Sequence, residues 1–278
     1  MPLQIQRMLK QFGFEQCKSV AHPMMSGTIP CEDDSFEAPE KDFDMQSLVG
    51  HASYIQQCCR PDISQVVKIL SRYTTKFGKR HVEYAKHLLR YLKGTVALGL
   101  MYTARFPVFL QIFTDASHAS CVDTRRSITS VVVKLGGNTV FWKNAYTSMV
   151  CHSSTESELM ALDVGAMLSQ GLKFVIEAMG GPTQECTQVL VDNQGTISLS
   201  SNPVQPGRNL HVHARYFYVK DLVYGKDVIV CYLPTELQIA DVGCTFKGGP
   251  VFIRLREFLM KCARILHDEH KVPNWDMA

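Results

Sequence analysis

Four carboxylates stand at points where a chain can bring them together. Asp115 ends the apolar run Phe109-Leu110-Gln111-Ile112-Phe113-Thr114, Glu158 lies in Ser153-Ser154-Thr155-Glu156-Ser157-Glu158, Asp192 follows Val189-Leu190-Val191, and Asp241 closes Thr235-Glu236-Leu237-Gln238-Ile239-Ala240-Asp241. Each also has a structural alternative. Asp115 could cap a turn, Asp192 could be an N-cap, and Asp241 could be a solvent-facing acid in a helix opened by the capping box Thr235-x-x-Gln238. In the second segment two glutamates compete. Ser153-x-x-Glu156 has the form of a capping box, which gives Glu156 a structural task. Glu158 shares a stripe with Ala161, Leu162, Gly165 and Leu172, and points about 200° away from Glu156. Four oxygen ligands from four elements suit Mg²⁺ or Mn²⁺ rather than zinc. Two such ions about 3.5 to 4 Å apart promote in-line phosphodiester hydrolysis.

The elements that must position these acids follow from periodicity. Ile5, Met8, Leu9 and Phe12 share a helical face, as do Ile63, Val66, Val67 and Leu70, and then Ala85, Leu88, Leu89 and Leu92. After Gly94 the rhythm changes to short β-branched and aromatic runs at 109–114, 127–134 and 139–142, the last two joined by the hairpin signal Gly136-Gly137-Asn138. A helix is expected from Ser153, strands at 187–191 and 228–233, and a helix from Thr235. The order β-β-β-α-β-α-α-β-α predicts an α/β fold with a mixed five-stranded sheet, three antiparallel strands and then two parallel ones, flanked by helices. A mainly helical region to residue 106 precedes it, with an acidic linker near 30–44. The α/β domain spans 107–247, and a C-terminal helix and tail span 248–278.

Composition is that of a folded domain, with 46% hydrophobic and 20% charged residues in 278. Between Arg60 and Arg105 ten Lys and Arg oppose only Asp62 and Glu83, which is either a phosphate-facing surface or a solvated helix face. The ten cysteines show no C-x-x-C and no repeated spacing, so neither a zinc site nor a disulfide framework is expected, and most should be buried thiols. No uninterrupted apolar run reaches a membrane span, and residues 1–7 lack a secretory pattern. The expectation is an intracellular protein, cytoplasmic or nuclear, with no membrane.

Thr114-Asp115-Ala116-Ser117, Arg125-Arg126-Ser127, Phe141-Trp142-Lys143, Ser153 to Glu158, Val191-Asp192-Asn193-Gln194 and Ile239-Ala240-Asp241 resemble, in order and spacing, the ribonuclease H domain of copia-type LTR retrotransposon polyproteins. Upstream, Phe12 to Lys18, Leu48-Val49-Gly50, Arg60-Pro61-Asp62-Ile63 and Leu89 to Thr95 resemble the thumb and connection of the same reverse transcriptase. The resemblance implies a ribonuclease H-like fold and two bound Mg²⁺ or Mn²⁺ ions on Asp115, Glu158, Asp192 and Asp241. It also implies hydrolysis of the RNA strand of an RNA/DNA hybrid, with the polymerase portion of the reverse transcriptase as a further partner. Arg125, Arg126, Asn193 and Gln194 are then candidate minor-groove or phosphate contacts, and Lys79, Arg80, Lys86 and Arg90 candidate phosphate contacts.

The chain also departs from that pattern. No Tyr-x-Asp-Asp occurs, so DNA synthesis is not expected. Ala145-Tyr146-Thr147 stands where the family has Lys-Lys-Gln, and His211-Val212-His213 and Arg215-Tyr216-Phe217 replace His-Ile-Asp and Arg-Tyr-His. His211 and His213 are either surface residues or act near product release. Two rival readings remain: a retroelement remnant that binds nucleic acid without turnover, and an integrase or other nuclease on the same sheet.

Overall fold

The computed structural model describes residues 1–277 except 28, 37–42, 105, 183–185, 202–209 and 267–273. The chain divides into two compact units, one of residues 1–100 with 245–260 and one of residues 101–244 with 261–278.

The first unit is helical: α1 (Pro2–Gln11), α2 (Met45–Cys59), α3 (Ser64–Leu70), α4 (Lys79–Gly94) and, from the later segment, a helix at Gly249–Met260. Its core collects the faces read from the sequence, with Ile5, Met8 and Leu9 of α1 and Ala85, Leu88, Leu89 and Leu92 of α4 all buried. Arg60 does not belong to a phosphate-facing surface. It is fully buried, where Asp62 accepts two hydrogen bonds from its guanidinium at 2.8 Å and Tyr91 donates to Asp62 at 2.6 Å. Two more cations of the basic stretch are paired, Lys76 with Glu32 at 3.5 Å and Arg80 with Asp34 at 3.6 Å. The acidic segment is therefore not simply an exposed linker, because Glu32–Phe36 forms a 3₁₀ turn in which Asp34 accepts from Cys31 N–H. Glu37, Glu40 and Asp42 lie outside the described residues.

The second unit holds β1 (Leu110–Ser117), β2 (Ile128–Leu135), β3 (Asn138–Tyr146), α5 (Ser154–Ala178), β4 (Thr187–Val191), α6 (Gln194–Ser201), α7 (Leu210–Tyr224) and β5 (Val228–Tyr232). The sheet order is β3-β2-β1-β4-β5, with β1 antiparallel to β2, β2 antiparallel to β3, and β4 parallel to both β1 and β5. This is the mixed sheet of a ribonuclease H-like fold. The β2–β3 turn places Gly136 and Gly137 at φ +53 and +77, the two positive angles a tight primed hairpin needs. Ile112, Val131 and Val133 of the sheet pack with Leu159, Leu162 and Ala166 of α5 and with Tyr216 and Val219 of α7. The Gly249–Met260 helix, α8 in chain order, is followed by a strand pair, β6 (Ala263–Leu266) with β7 (Asn274–Met277).

Three local expectations are corrected. No α-helix starts at Thr235: residues Thr235–Leu237 and Ile239–Gly243 form two 3₁₀ turns. The capping box at Ser153 is half formed. Ser153 Oγ accepts from Glu156 N–H at 3.1 Å, but the Glu156 carboxylate reaches one residue further back, to His152 N–H at 2.6 Å. Finally, α5 is long and apolar enough in composition to cross a membrane, although Ser157, Glu158 and Asp163 interrupt its apolar run. Here its buried residues pack on the sheet.

Candidate active site

The site lies where β1 and β4 part. Their parallel ladder covers Gln111–Phe113 against Gln188–Leu190, whereas β1 continues along β2 to Ser117, so Asp115 is paired with Ser130 but lies beyond the β4 pairing. Gln238 fills the gap. Its buried side-chain amide donates to Thr114 O at 3.0 Å and to Leu190 O at 3.2 Å, satisfying carbonyls that the parting strands leave without ladder partners. Those bonds anchor the turn that carries Asp241. Gly243 completes the approach, because a Cβ there would come within 2.3 Å of Ser130 Oγ, and Asn144 donates to Gly243 O at 3.0 Å.

Glu158 arrives from α5. The helix lies so close to β1 at Gly165 that a Cβ there would come within 2.5 Å of Thr114 Cγ2. With the helix seated this way, Glu158 Oε1 accepts from Ala116 N–H at 3.2 Å, and Glu158 is only 5% exposed. Its Oε2 is buried with no hydrogen-bond donor among the described residues. Glu156 is bonded at the helix start instead. Asp192 follows β4 and accepts from Thr235 Oγ1 at 2.9 Å. The cap of α6 is supplied by Asn193, whose Oδ1 accepts from Thr196 N–H at 3.1 Å, so Asp192 is not the N-cap.

All four acids gather around Asp115. Ligand atoms of Asp115, Glu158 and Asp192 lie within 4.8 Å of one another, as do those of Asp115, Asp241 and Cys244. Cys244, a residue the sequence reading did not single out, donates its thiol hydrogen to Asp115 Oδ2 at 2.6 Å. Burial, and then the neighbouring Asp241 and Asp192 carboxylates, push the Asp115 carboxyl well above the usual range. Glu158 is raised by burial and then by Asp115 and Asp192. A site of buried acids that repel one another, with a carboxylate oxygen lacking a donor, matches the needs of hard divalent cations, which take oxygen ligands and offset that repulsion. The four carboxylates fit Mg²⁺ or Mn²⁺ as a donor set. The Cys244 sulfur is a softer addition.

The other candidates are placed differently. Arg125 and Arg126 are exposed in the β1–β2 connection, Arg125 at φ +54. Asn193 is half-buried in its capping role, and Gln194 is exposed at the start of α6. Lys79, Arg80, Lys86 and Arg90 belong to α4 of the first unit, where Lys79 and Arg90 are exposed and Arg80 is ion-paired. The side chains of His211 and His213 lie outside the described residues.

No protein-family profile matches the chain. The chain is 29% identical over 248 residues to the retrovirus-related Pol polyprotein from transposon TNT 1-94 of Nicotiana tabacum, covering 86% of this chain and 18% of the polyprotein. It is 28% identical over 196 residues to that from transposon RE1 of Arabidopsis thaliana, covering 70% of this chain and 13% of the polyprotein. It is also 36% identical over 116 residues to secreted RxLR effector protein 161 of Plasmopara viticola, covering 42% of this chain and 82% of that protein. Among solved structures, the N-terminal RNase H domain of Rv2228c from Mycobacterium tuberculosis aligns with 12% identity and a TM-score of 0.38, over 54% of this chain and 97% of that one. The chain spans less than a fifth of the two polyproteins. In sequence and in the order of its elements, it belongs to the retrovirus-related Pol polyproteins of copia-type transposons.

Proposed function

We propose that the second unit is a ribonuclease H-type endonuclease that hydrolyses the RNA strand of RNA/DNA hybrids. The observation that carries this reading is the convergence of Asp115, Glu158, Asp192 and Asp241 at the parting ends of β1 and β4. Asp115, common to both groups of ligand atoms, would be the shared ligand of two divalent ions, with Glu158, Asp192 and Asp241 completing their coordination. Such ions, when bound, stabilise charge on the attacking and leaving oxygens of an in-line displacement. The protein's own part is positioning. Ala116 N–H orients Glu158, Thr235 orients Asp192, and Gln238 holds the Asp241 turn against the sheet.

Arg125, Arg126 and Gln194 are exposed donors for the backbone or minor groove of the hybrid, and Lys79 and Arg90 offer phosphate contacts on the first unit. The chain would act as one part of a longer Pol polyprotein whose remainder supplies the polymerase. The test is incubation of the purified chain with Mg²⁺ or Mn²⁺ and labelled RNA/DNA hybrid, RNA duplex or DNA duplex. Cleavage of the RNA strand in the hybrid alone is the expected result. Binding without cleavage would replace this reading by that of a remnant that only holds nucleic acid.

A further inference from the structure

The carboxylate cluster contains one ligand of a different chemical kind. Cys244 directly follows the 3₁₀ turn that carries Asp241, and its Sγ lies with the Asp115 and Asp241 carboxylates inside a 4.8 Å span. All three side chains are buried, at 5%, 4% and 1% exposure for Asp115, Asp241 and Cys244. One thiol beside two carboxylates is a donor set that hard Mg²⁺ does not favour and that borderline-soft zinc does. An independent observation also points to a cation here. Glu158, 95% buried and grouped with Asp115, presents an Oε2 that no donor among the described residues satisfies.

We propose that this cluster also binds a thiophilic divalent cation of the zinc class, held by Cys244, Asp115 and Asp241. The inference rests on the reading of the cluster as a cation site and not on its hydrolytic activity. On binding, the thiol gives up its proton to solvent and the sulfur becomes a thiolate ligand. Three protein ligands leave the fourth tetrahedral position to water or to the Glu158 carboxylate. Because Asp115 belongs to both groups of ligand atoms, a zinc-class ion here competes with Mg²⁺ for it. The site therefore discriminates between metals.

The test uses Co²⁺ as a coloured zinc surrogate, titrated into the reduced, metal-free chain without nucleic acid. The expected result is a sulfur-to-cobalt charge-transfer band saturating at one ion per chain. An equivalent of Zn²⁺ should abolish it, and a hundredfold excess of Mg²⁺ should leave it. Cys244→Ser should lose the band, whereas Cys231→Ser, which alters a buried thiol of β5, should retain it. Absence of the band, or its persistence in Cys244→Ser, would overturn the proposal. Should Cys244→Ser fail to fold, Asp241→Asn decides, since Co²⁺ affinity must drop tenfold or more and an unchanged affinity refutes the assignment. A chain that shows the band but cleaves no hybrid retains this inference and loses the hydrolytic one. A chain that cleaves but shows no band does the reverse.

Discussion

Replacement of Gly165 by alanine tests whether helix-to-sheet packing sets the position of Glu158. A Cβ at residue 165 would sit 2.5 Å from Thr114 Cγ2 and 3.2 Å from Ile112 Cγ2, where ordinary contact begins at 3.4 Å. Both neighbours are β-branched and fully buried, so neither can rotate away cheaply. The helix must retreat by about 1 Å. Overpacking of this kind costs about 1 to 3 kcal/mol, and the better helix propensity of alanine returns roughly 1. A net loss of about 1 kcal/mol should lower the melting midpoint by about 2 to 4 °C. The catalytic effect should be far larger, because a misplacement of about 1 Å can cost on the order of a hundredfold in rate. Gly171 on the same helix is the control. A Cβ there meets nothing within 4 Å, so Gly171→Ala should stabilise the chain by about 1 kcal/mol and leave cleavage alone. The assays are thermal melting by circular dichroism and single-turnover hybrid cleavage at saturating Mg²⁺. Parent-like cleavage by Gly165→Ala would refute the claim that this close approach positions Glu158.

Asp115→Asn should abolish cleavage yet stabilise the metal-free protein near neutral pH. Its raised carboxyl costs nothing below the unfolded value near 4 and destabilises the fold increasingly as pH rises above it, so parent and variant should diverge in urea melts between about pH 4 and 8 and converge in acid. Glu158→Gln should remove activity, whereas Glu156→Gln, which keeps an acceptor for His152 N–H, should retain most of it. Equal losses would show that the helix face has been misassigned. Lys79→Glu with Arg90→Glu should flatten the salt dependence of hybrid binding by up to about 0.9 per lost phosphate contact, while Arg80→Glu, already paired with Asp34, should change it less. An unchanged slope in the double variant would assign those two cations to a solvated face.

The acids could be read from the sequence because each sits at a strand end or in a helix start that local pattern reveals. The five strands and their order were legible for the same reason. What escaped depended on partners distant in the chain. Gln238 reads as the end of a capping box, yet its amide spans Thr114 and Leu190. Cys244 has no metal-binding spacing, and its contact with Asp115 joins residues 129 positions apart. Arg60 counted toward a basic surface because nothing local shows that Tyr91 and Thr95 bury it with Asp62. The short 3₁₀ turns at 235–243 carry helical residue types but are fixed by their seat on β1 and β2 rather than by helix propensity.

The most direct measurement of the central claim is anomalous diffraction from crystals of the chain equilibrated with Mn²⁺. Two anomalous peaks about 3.5 to 4 Å apart, both touching Asp115 and ligated between them by Glu158, Asp192 and Asp241, are the expected result. Crystals with no Mn²⁺ at these carboxylates, or with ions bound only elsewhere, would contradict it.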